Sequence, residues 1–189
     1  MKELRISELR ANDPKEVEGL ILEGMPIVYD QPTTINDPAG QFIEIIRSGA
    51  LEGADLSDAR LLYNHDLNKV PLARTPRTMQ FSMDPAGLKM IATLPDTEEA
   101  RSVHTAVMRG DLSGMSFSFK VPAGGDSYDA ETNTRTIHKI EKVYEISVVP
   151  FPAYPQTSVE ARAAIKAVKE DPLRTAAKIR INQIFMREV

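Results

Sequence analysis

Residues 109–121 read RGDLSGMSFSFKV and predict the end of a helix, a turn and then a strand. Gly110 and Gly114 are suited to the turn. From Met115 onward apolar and polar residues alternate, which is the period of a strand with one buried and one polar face. The apolar face holds Met115, Phe117, Phe119 and Val121, and the polar face holds Ser116, Ser118 and Lys120. A serine held rigidly on that polar face is well placed to act as a nucleophile. Most such serines only meet water, so the rest of the chain must supply a base and an orienting group.

Composition excludes several functional classes. The 189 residues suffice for one domain with a terminal tail. The absence of cysteine excludes disulfides, thiolate catalysis and cysteine-ligated zinc. The net charge of −4 is small and spread out, so there is no basic footprint for nucleic acid. No apolar run is as long as a membrane span, and the first ten residues lack an apolar signal segment. We expect a soluble, cytoplasmic protein with neither nucleic-acid nor membrane partners.

The pattern of elements predicts a mainly β protein of the α+β class with one internal helix. That helix is expected over residues 97–110, because Asp96 or Thr97 can cap it and Gly110 can end it. Residues 77–94 predict a hairpin, and residues 17–30 a strand pair or a bulged strand. Further strands are expected at residues 42–46, 61–63 and 135–149, with proline-, glycine- and asparagine-containing loops at 31–41 and 122–134. We predict three regions: an N-terminal arm (1–16), a β domain (17–156) and a helical C-terminal extension (157–189) that opens on a capping box, Thr157 to Glu160.

Three histidines are available as a base. His65 follows the apolar run 61–63 at the end of a predicted strand and is the best candidate, although a turn histidine packed against Asp66 would look the same. His104 lies in the predicted helix, where a surface or boundary position is expected. His138 lies on a predicted strand as an alternative orienting residue. The sequence has no HExxH motif, paired acidic motif or phosphate-cradling glycine loop, so we expect no metal and no cofactor.

Glu145 is the candidate orienting group. It lies in the apolar run KVYEISVV (142–149), where alternation predicts that Glu145 and Ser147 share a face with Val143 and Val149. A carboxylate buried in such a strand needs a partner, and a histidine N–H is one. The pattern alone favours the simpler interpretation, an exposed glutamate on the wet face of the strand.

Five stretches in this order resemble the tailed-phage prohead protease family, over about residues 19–162. They are residues 64–66 (NHD), 72–75 (LART), 94–97 (LPDT), 109–117 (RGDLSGMSF) and 145–153 (EISVVPFPA). This family is similar in fold to the herpesvirus capsid-maturation protease, so the resemblance implies a closed β-barrel flanked by helices. It also implies Ser116 as nucleophile, His65 as base and Glu145 as third member.

The chain departs from the family pattern at one position near the proposed nucleophile. The family usually has glycine where this chain has Ser118, which leaves Ser118 as a rival nucleophile; Ser113, in the turn, is a weaker one. A nucleophile on a strand leaves the oxyanion donors unspecified. Arg74 and Arg109 are candidates to organise the loop that supplies them, although surface ion pairing explains both equally well.

The resemblance implies a serine endopeptidase that cleaves the scaffolding segment of the major capsid protein, and itself, inside the assembling procapsid. It would work in the host cytoplasm, or as a prophage product of a bacterium, and as a homodimer. The residues leave two other interpretations open: a non-catalytic capsid-assembly or scaffold protein, and a metal-independent esterase using the same three residues. In the procapsid the helical extension would be an incorporation or interaction element, which self-cleavage would remove. The simpler interpretation is a terminal helix that packs on the β domain.

Overall fold

A computed structural model describes residues 9–13, 19–37 and 40–150 of the chain. Within these ranges there are twelve strands and one helix, so the predicted mainly β class is confirmed. The elements are β1 (Leu9–Ala11), β2 (Leu20–Val28), β3 (Thr33–Asp37), β4 (Gly40–Ile46), β5 (Arg60–Tyr63), β6 (Ala73–Arg74), β7 (Met79–Asp84), β8 (Gly87–Leu94), α1 (Glu98–Met108), β9 (Gly114–Lys120), β10 (Asp126–Asp129), β11 (Thr134–Ile137) and β12 (Lys142–Val149). The predicted helical extension at 157–189 lies outside the described residues.

The strands form three four-stranded sheets. The first has the order β1-β2-β8-β7, the second β10-β11-β4-β3 and the third β6-β5-β12-β9. In the described part of the chain each sheet has two edge strands and none closes on itself, so the predicted closed barrel is not found. Apolar side chains of all three sheets and of α1 form the main core, to which the second sheet contributes Ile46 and Ile137. A smaller cluster around Ile35 and Phe42 belongs to the second sheet.

Local signals placed the helix and the hairpin correctly. Thr97 caps α1, because its side chain accepts a hydrogen bond from the Ala100 amide. After Met108 the chain turns at Gly110, whose φ of +79° favours glycine. The hairpin predicted at residues 77–94 is β7 and β8, which pair from Met79 with Ala92 to Asp84 with Gly87. Strand β2 is the predicted bulged strand, with its register shift between Gly24 and Ile27.

Four other segments differ from the predictions. Residues 33–37, predicted as loop, form β3 and pair with β4, and β10 lies in the loop predicted at 122–134. The run 135–149 is divided between β11 and β12, which belong to different sheets. Leu9–Ala11, predicted as part of a loose arm, pair with β2 as β1. At residues 33–37 and 126–129, ladder hydrogen bonds to the neighbouring strand outweigh the local turn propensity of proline, glycine and asparagine.

Candidate active site

Two antiparallel strands bring the predicted serines to the predicted carboxylate. In the register of β9 and β12, Ser116 lies opposite Ser147 and Ser118 lies opposite Glu145. Residues directly opposite each other project from the same face, with their Cβ atoms about 4.5–5.5 Å apart. The other face of both strands, including Phe117 of β9, is packed into the core.

A bulge in β12 turns Glu145 toward this site face. The register shifts between Val143, which pairs with Phe119, and Glu145, leaving Tyr144 as the extra residue. Val143 therefore lies in the core and Tyr144 is 44% exposed. The predicted alternation is thus wrong for Val143, which does not share a face with Glu145. Simple period-two counting could not reveal this inserted residue.

The turn after β5 returns His65 to the same face. Asn64 still continues the ladder, since its amide donates to the Val148 carbonyl over 2.9 Å. Asn64 and His65 then both take left-handed backbone conformations, with φ of +54° and +58°. Each such conformation costs a non-glycine residue about 1–3 kcal/mol and persists only where the surroundings enforce it. The His65 amide here donates to Ser147 Oγ over 3.1 Å.

The His65 ring is hydrogen-bonded to Glu145. Nδ1 of His65 lies 2.6 Å from Oε1 of Glu145, and both side chains are nearly buried. A carboxylate accepts, so the neutral imidazole carries its proton on Nδ1 and has a lone pair on Nε2. Among the described residues Nε2, although buried, has no hydrogen-bond partner. An imidazole held this way can take a proton from a hydroxyl group brought to Nε2.

Glu145 is thus buried, at 6% exposure, rather than lying on a wet strand face. Its second oxygen, Oε2, accepts a hydrogen bond from Ser147 Oγ over 2.6 Å. Sequence reasoning placed Ser147 on the face of Glu145 but assigned it no role. The available signal was a serine two residues from the glutamate in an otherwise apolar strand.

The remaining candidates lie elsewhere or at the margin of this site. Ser116 and Ser118 are both partly exposed, and Ser113 is exposed just before β9. His138 is exposed beside the second sheet, where its Nε2 lies 2.9 Å from Ser127 Oγ. The structure therefore brings His65, and not His138, to Glu145.

His104 is not the surface or boundary residue that was predicted. It is 1% exposed on the buried face of α1, and its Nε2 lies 2.9 Å from Oδ1 of Asn12. Burial lowers the pKa of His104 below its ordinary value. A hydrogen bond with the Ile21 backbone has a smaller effect in the opposite direction. The side chain belongs to the packing of the helix, because positions 100, 103, 104 and 107 share one helical face.

The two arginines considered as loop organisers are in exposed ion pairs. Nε of Arg74 lies 2.6 Å from Asp58, and Nε of Arg109 lies 3.1 Å from Asp111. Within the described residues no cluster of three or more His, Asp or Glu side chains is arranged to hold a metal ion. The same part of the chain contains no helix long and apolar enough to span a membrane.

Comparison with known proteins identifies the family. A family model described as caudovirus prohead serine protease matches residues 6–171 of the chain. The chain belongs to this family. The resemblance predicted from its motifs is thereby confirmed. The matched region includes all five residues of the site face, which are His65, Ser116, Ser118, Glu145 and Ser147.

The chain is also similar to the prohead protease of Enterobacteria phage HK97. The two sequences are 26% identical over 153 residues, which cover 79% of this chain and 63% of the relative. The chain thus spans less than two thirds of that protein's length. No solved structure matches the chain.

Proposed function

We propose that this protein is a serine endopeptidase of phage capsid maturation. Its substrates would be the scaffolding segment of the major capsid protein and its own chain, inside the procapsid. The observation that carries the proposal is the 2.6 Å hydrogen bond between His65 and Glu145, buried beside the strand that bears Ser116. Family membership supports the reaction class.

In the proposed mechanism Ser116 is the nucleophile, His65 the base and Glu145 the orienting group. Nε2 of His65 takes the proton from Ser116 Oγ as the oxygen attacks the scissile carbonyl, and then gives it to the leaving amine. Glu145 keeps the imidazole in the required tautomer through Nδ1 and stabilises the imidazolium. Water then hydrolyses the acyl-enzyme, with His65 again acting as base.

Support for Ser116 over Ser118 comes from the register and the family motif. Ser116 lies opposite Ser147, whose hydroxyl accepts a hydrogen bond from the backbone of His65. It also stands at the serine position of the family's motif, whereas Ser118 replaces a usual glycine. We further propose that the protein works as a homodimer and that self-cleavage removes its C-terminal extension.

The proposal is tested by co-expressing the full chain with its major capsid protein and measuring intact masses. The wild type should shorten the capsid protein and itself, and Ser116→Ala and His65→Ala should stop both cleavages. Ser127→Ala is the matched control, because it removes a serine–histidine hydrogen bond remote from the site. Unchanged full-length masses in the wild type would instead indicate a non-catalytic capsid-assembly protein.

A further inference from the structure

Ser147 joins both partners of the histidine–glutamate pair. Its side chain is fully buried in the middle of β12. Its Oγ lies 2.6 Å from Oε2 of Glu145 and 3.1 Å from the backbone nitrogen of His65. One hydroxyl group thus contacts the carboxylate of one residue and the main chain of the other.

The direction of each hydrogen bond follows from the chemistry of the groups. A backbone N–H can only donate, so Ser147 Oγ accepts from His65. The single proton of the hydroxyl is then free to be donated to Glu145, whose ionised carboxylate only accepts. Because hydrogen bonds to charged groups are shorter than neutral ones, the 2.6 Å distance fits this assignment.

Ser147 thereby restricts the rotation of the carboxylate. The last torsion of a glutamate side chain has a broad energy profile, so the carboxylate plane is weakly defined by the chain itself. Here Oε1 is held by the His65 ring and Oε2 by Ser147. Without the hydroxyl, the bond to His65 would be the one contact among the described residues that defines the plane of the Glu145 carboxylate.

Ser147 also supports the left-handed turn that carries His65. The ladder between β5 and β12 ends where the Asn64 amide donates to the Val148 carbonyl. The next amide, that of His65, finds the Ser147 side chain in place of a backbone carbonyl. The same residue lies opposite Ser116 in the register. Ser147 therefore lies opposite the proposed nucleophile and contacts both residues that would activate it.

We propose that Ser147 is a positioning residue that sets the orientation of Glu145 and His65 toward Ser116. This role rests on the proposed function, since it matters for catalysis only if Ser116 is acylated. Ser147 touches neither substrate nor leaving group in the proposed reaction. It acts through the two residues that it holds.

The test compares full-length wild type with Ser147→Ala, Ser147→Thr and Ser147→Cys, using a fluorophosphonate probe that phosphorylates an activated serine. Loss of one hydrogen bond to a charged group should slow labelling of Ser147→Ala roughly 10- to 100-fold. Ser147→Thr keeps the hydroxyl and should recover most of that rate. Ser147→Cys keeps the shape of the side chain but has a weaker donor, so its labelling should be slowed less than that of Ser147→Ala. If Ser147→Thr misfolds, the Cys variant still tests the role of the donor. Ser127→Ala should label like the wild type.

Proton NMR provides a measurement that a purely structural role would not change. The His65 Nδ1 proton, assigned by its absence in His65→Gln, should shift and exchange faster in folded Ser147→Ala. Folded Ser147→Ala that labels at the wild-type rate and keeps this resonance would overturn the role of Ser147. If neither the wild type nor Ser116→Ala is labelled by the probe, the proposed function is overturned, and with it any catalytic role of Ser147.

Discussion

Ser116 of β9 lies directly opposite Ser147 of β12, on the face of the third sheet that turns away from the core. Ser147 is in turn hydrogen-bonded to the backbone of His65 and to the carboxylate of Glu145. The neighbouring pair on the same face is Ser118 with Glu145. The choice of nucleophile is therefore a choice between two serines that lie one pair apart in the same register.

The first prediction concerns these two serines. Ser116→Ala should reduce the cleavage rate by about 10⁶-fold, because no other group replaces the attacking oxygen. Ser118→Ala should retain most of the activity, since the residue stands where the family usually has glycine. The measurement is the rate of capsid-protein cleavage by purified variants. Full activity of Ser116→Ala together with an inactive Ser118→Ala would transfer the nucleophile to Ser118.

Glu145→Gln should leave the fold intact and lower the cleavage rate on the order of 10⁴-fold. Both oxygens of Glu145 accept hydrogen bonds, from His65 and from Ser147. The amide of glutamine has only one oxygen, so its NH₂ group would face one of these donors. Circular dichroism reports the fold, and the cleavage assay reports the rate. A wild-type rate would remove Glu145 from the triad.

His104 should make stability depend on pH. Burial lowers its pKa in the folded protein below the ordinary value of 6.5, so in this range the unfolded chain binds more protons. The stability contribution is therefore complete above about pH 6.5 and is lost as the pH falls toward the lowered folded pKa. One proton gives a slope of at most about 1.4 kcal/mol per pH unit.

This dependence is measured by urea unfolding between pH 7.5 and 5, with His104→Gln as the comparison. Glutamine does not titrate and can still donate to Asn12, so the variant should show a shallower decline than the wild type. Parallel stability curves for the two proteins would show that His104 is readily protonated in the folded state.

Arg135 should be a strong determinant of stability in the second sheet. It is 1% exposed, and its guanidinium pairs with Glu44 over 2.9 Å and with Asp126 over 2.7 Å. Removing one partner of a buried ion pair costs about 3–5 kcal/mol, because it leaves an uncompensated charge. Arg135→Met should therefore lower the free energy of unfolding by about that amount.

Two comparisons make the Arg135 result specific. Arg47 pairs with Asp30 at an exposed position, so Arg47→Met should cost less than about 1 kcal/mol. Adding Glu44→Leu to Arg135→Met should recover part of the loss, since the buried carboxylate is removed as well. Equal, small losses for Arg47→Met and Arg135→Met in urea unfolding would contradict this account.

Local sequence was sufficient where the signal is local. The alternation in β9 and the capping and glycine signals of α1 predicted both elements, because residues two or four positions apart fix one face of a strand or helix. β3 was predicted as loop because prolines and a glycine flank it and it contains an asparagine, yet pairing with β4 makes it a strand. His104 was predicted at a surface or boundary position, although it shares a helical face with Ala100, Val103 and Val107. Nothing near it in sequence reveals that Asn12 is brought against it.

By itself, the sequence determined the β-rich class, the helix, the serine-bearing strand and, through its motifs, the family. Only the tertiary structure decided that His65 meets Glu145 across 80 positions of sequence and that Ser147 joins them. The physical reason is that these contacts depend on strand register, on the bulge at Tyr144 and on two left-handed residues at 64 and 65. Each of these is stabilised by contacts between strands that are distant in sequence, and no periodicity within one strand encodes them.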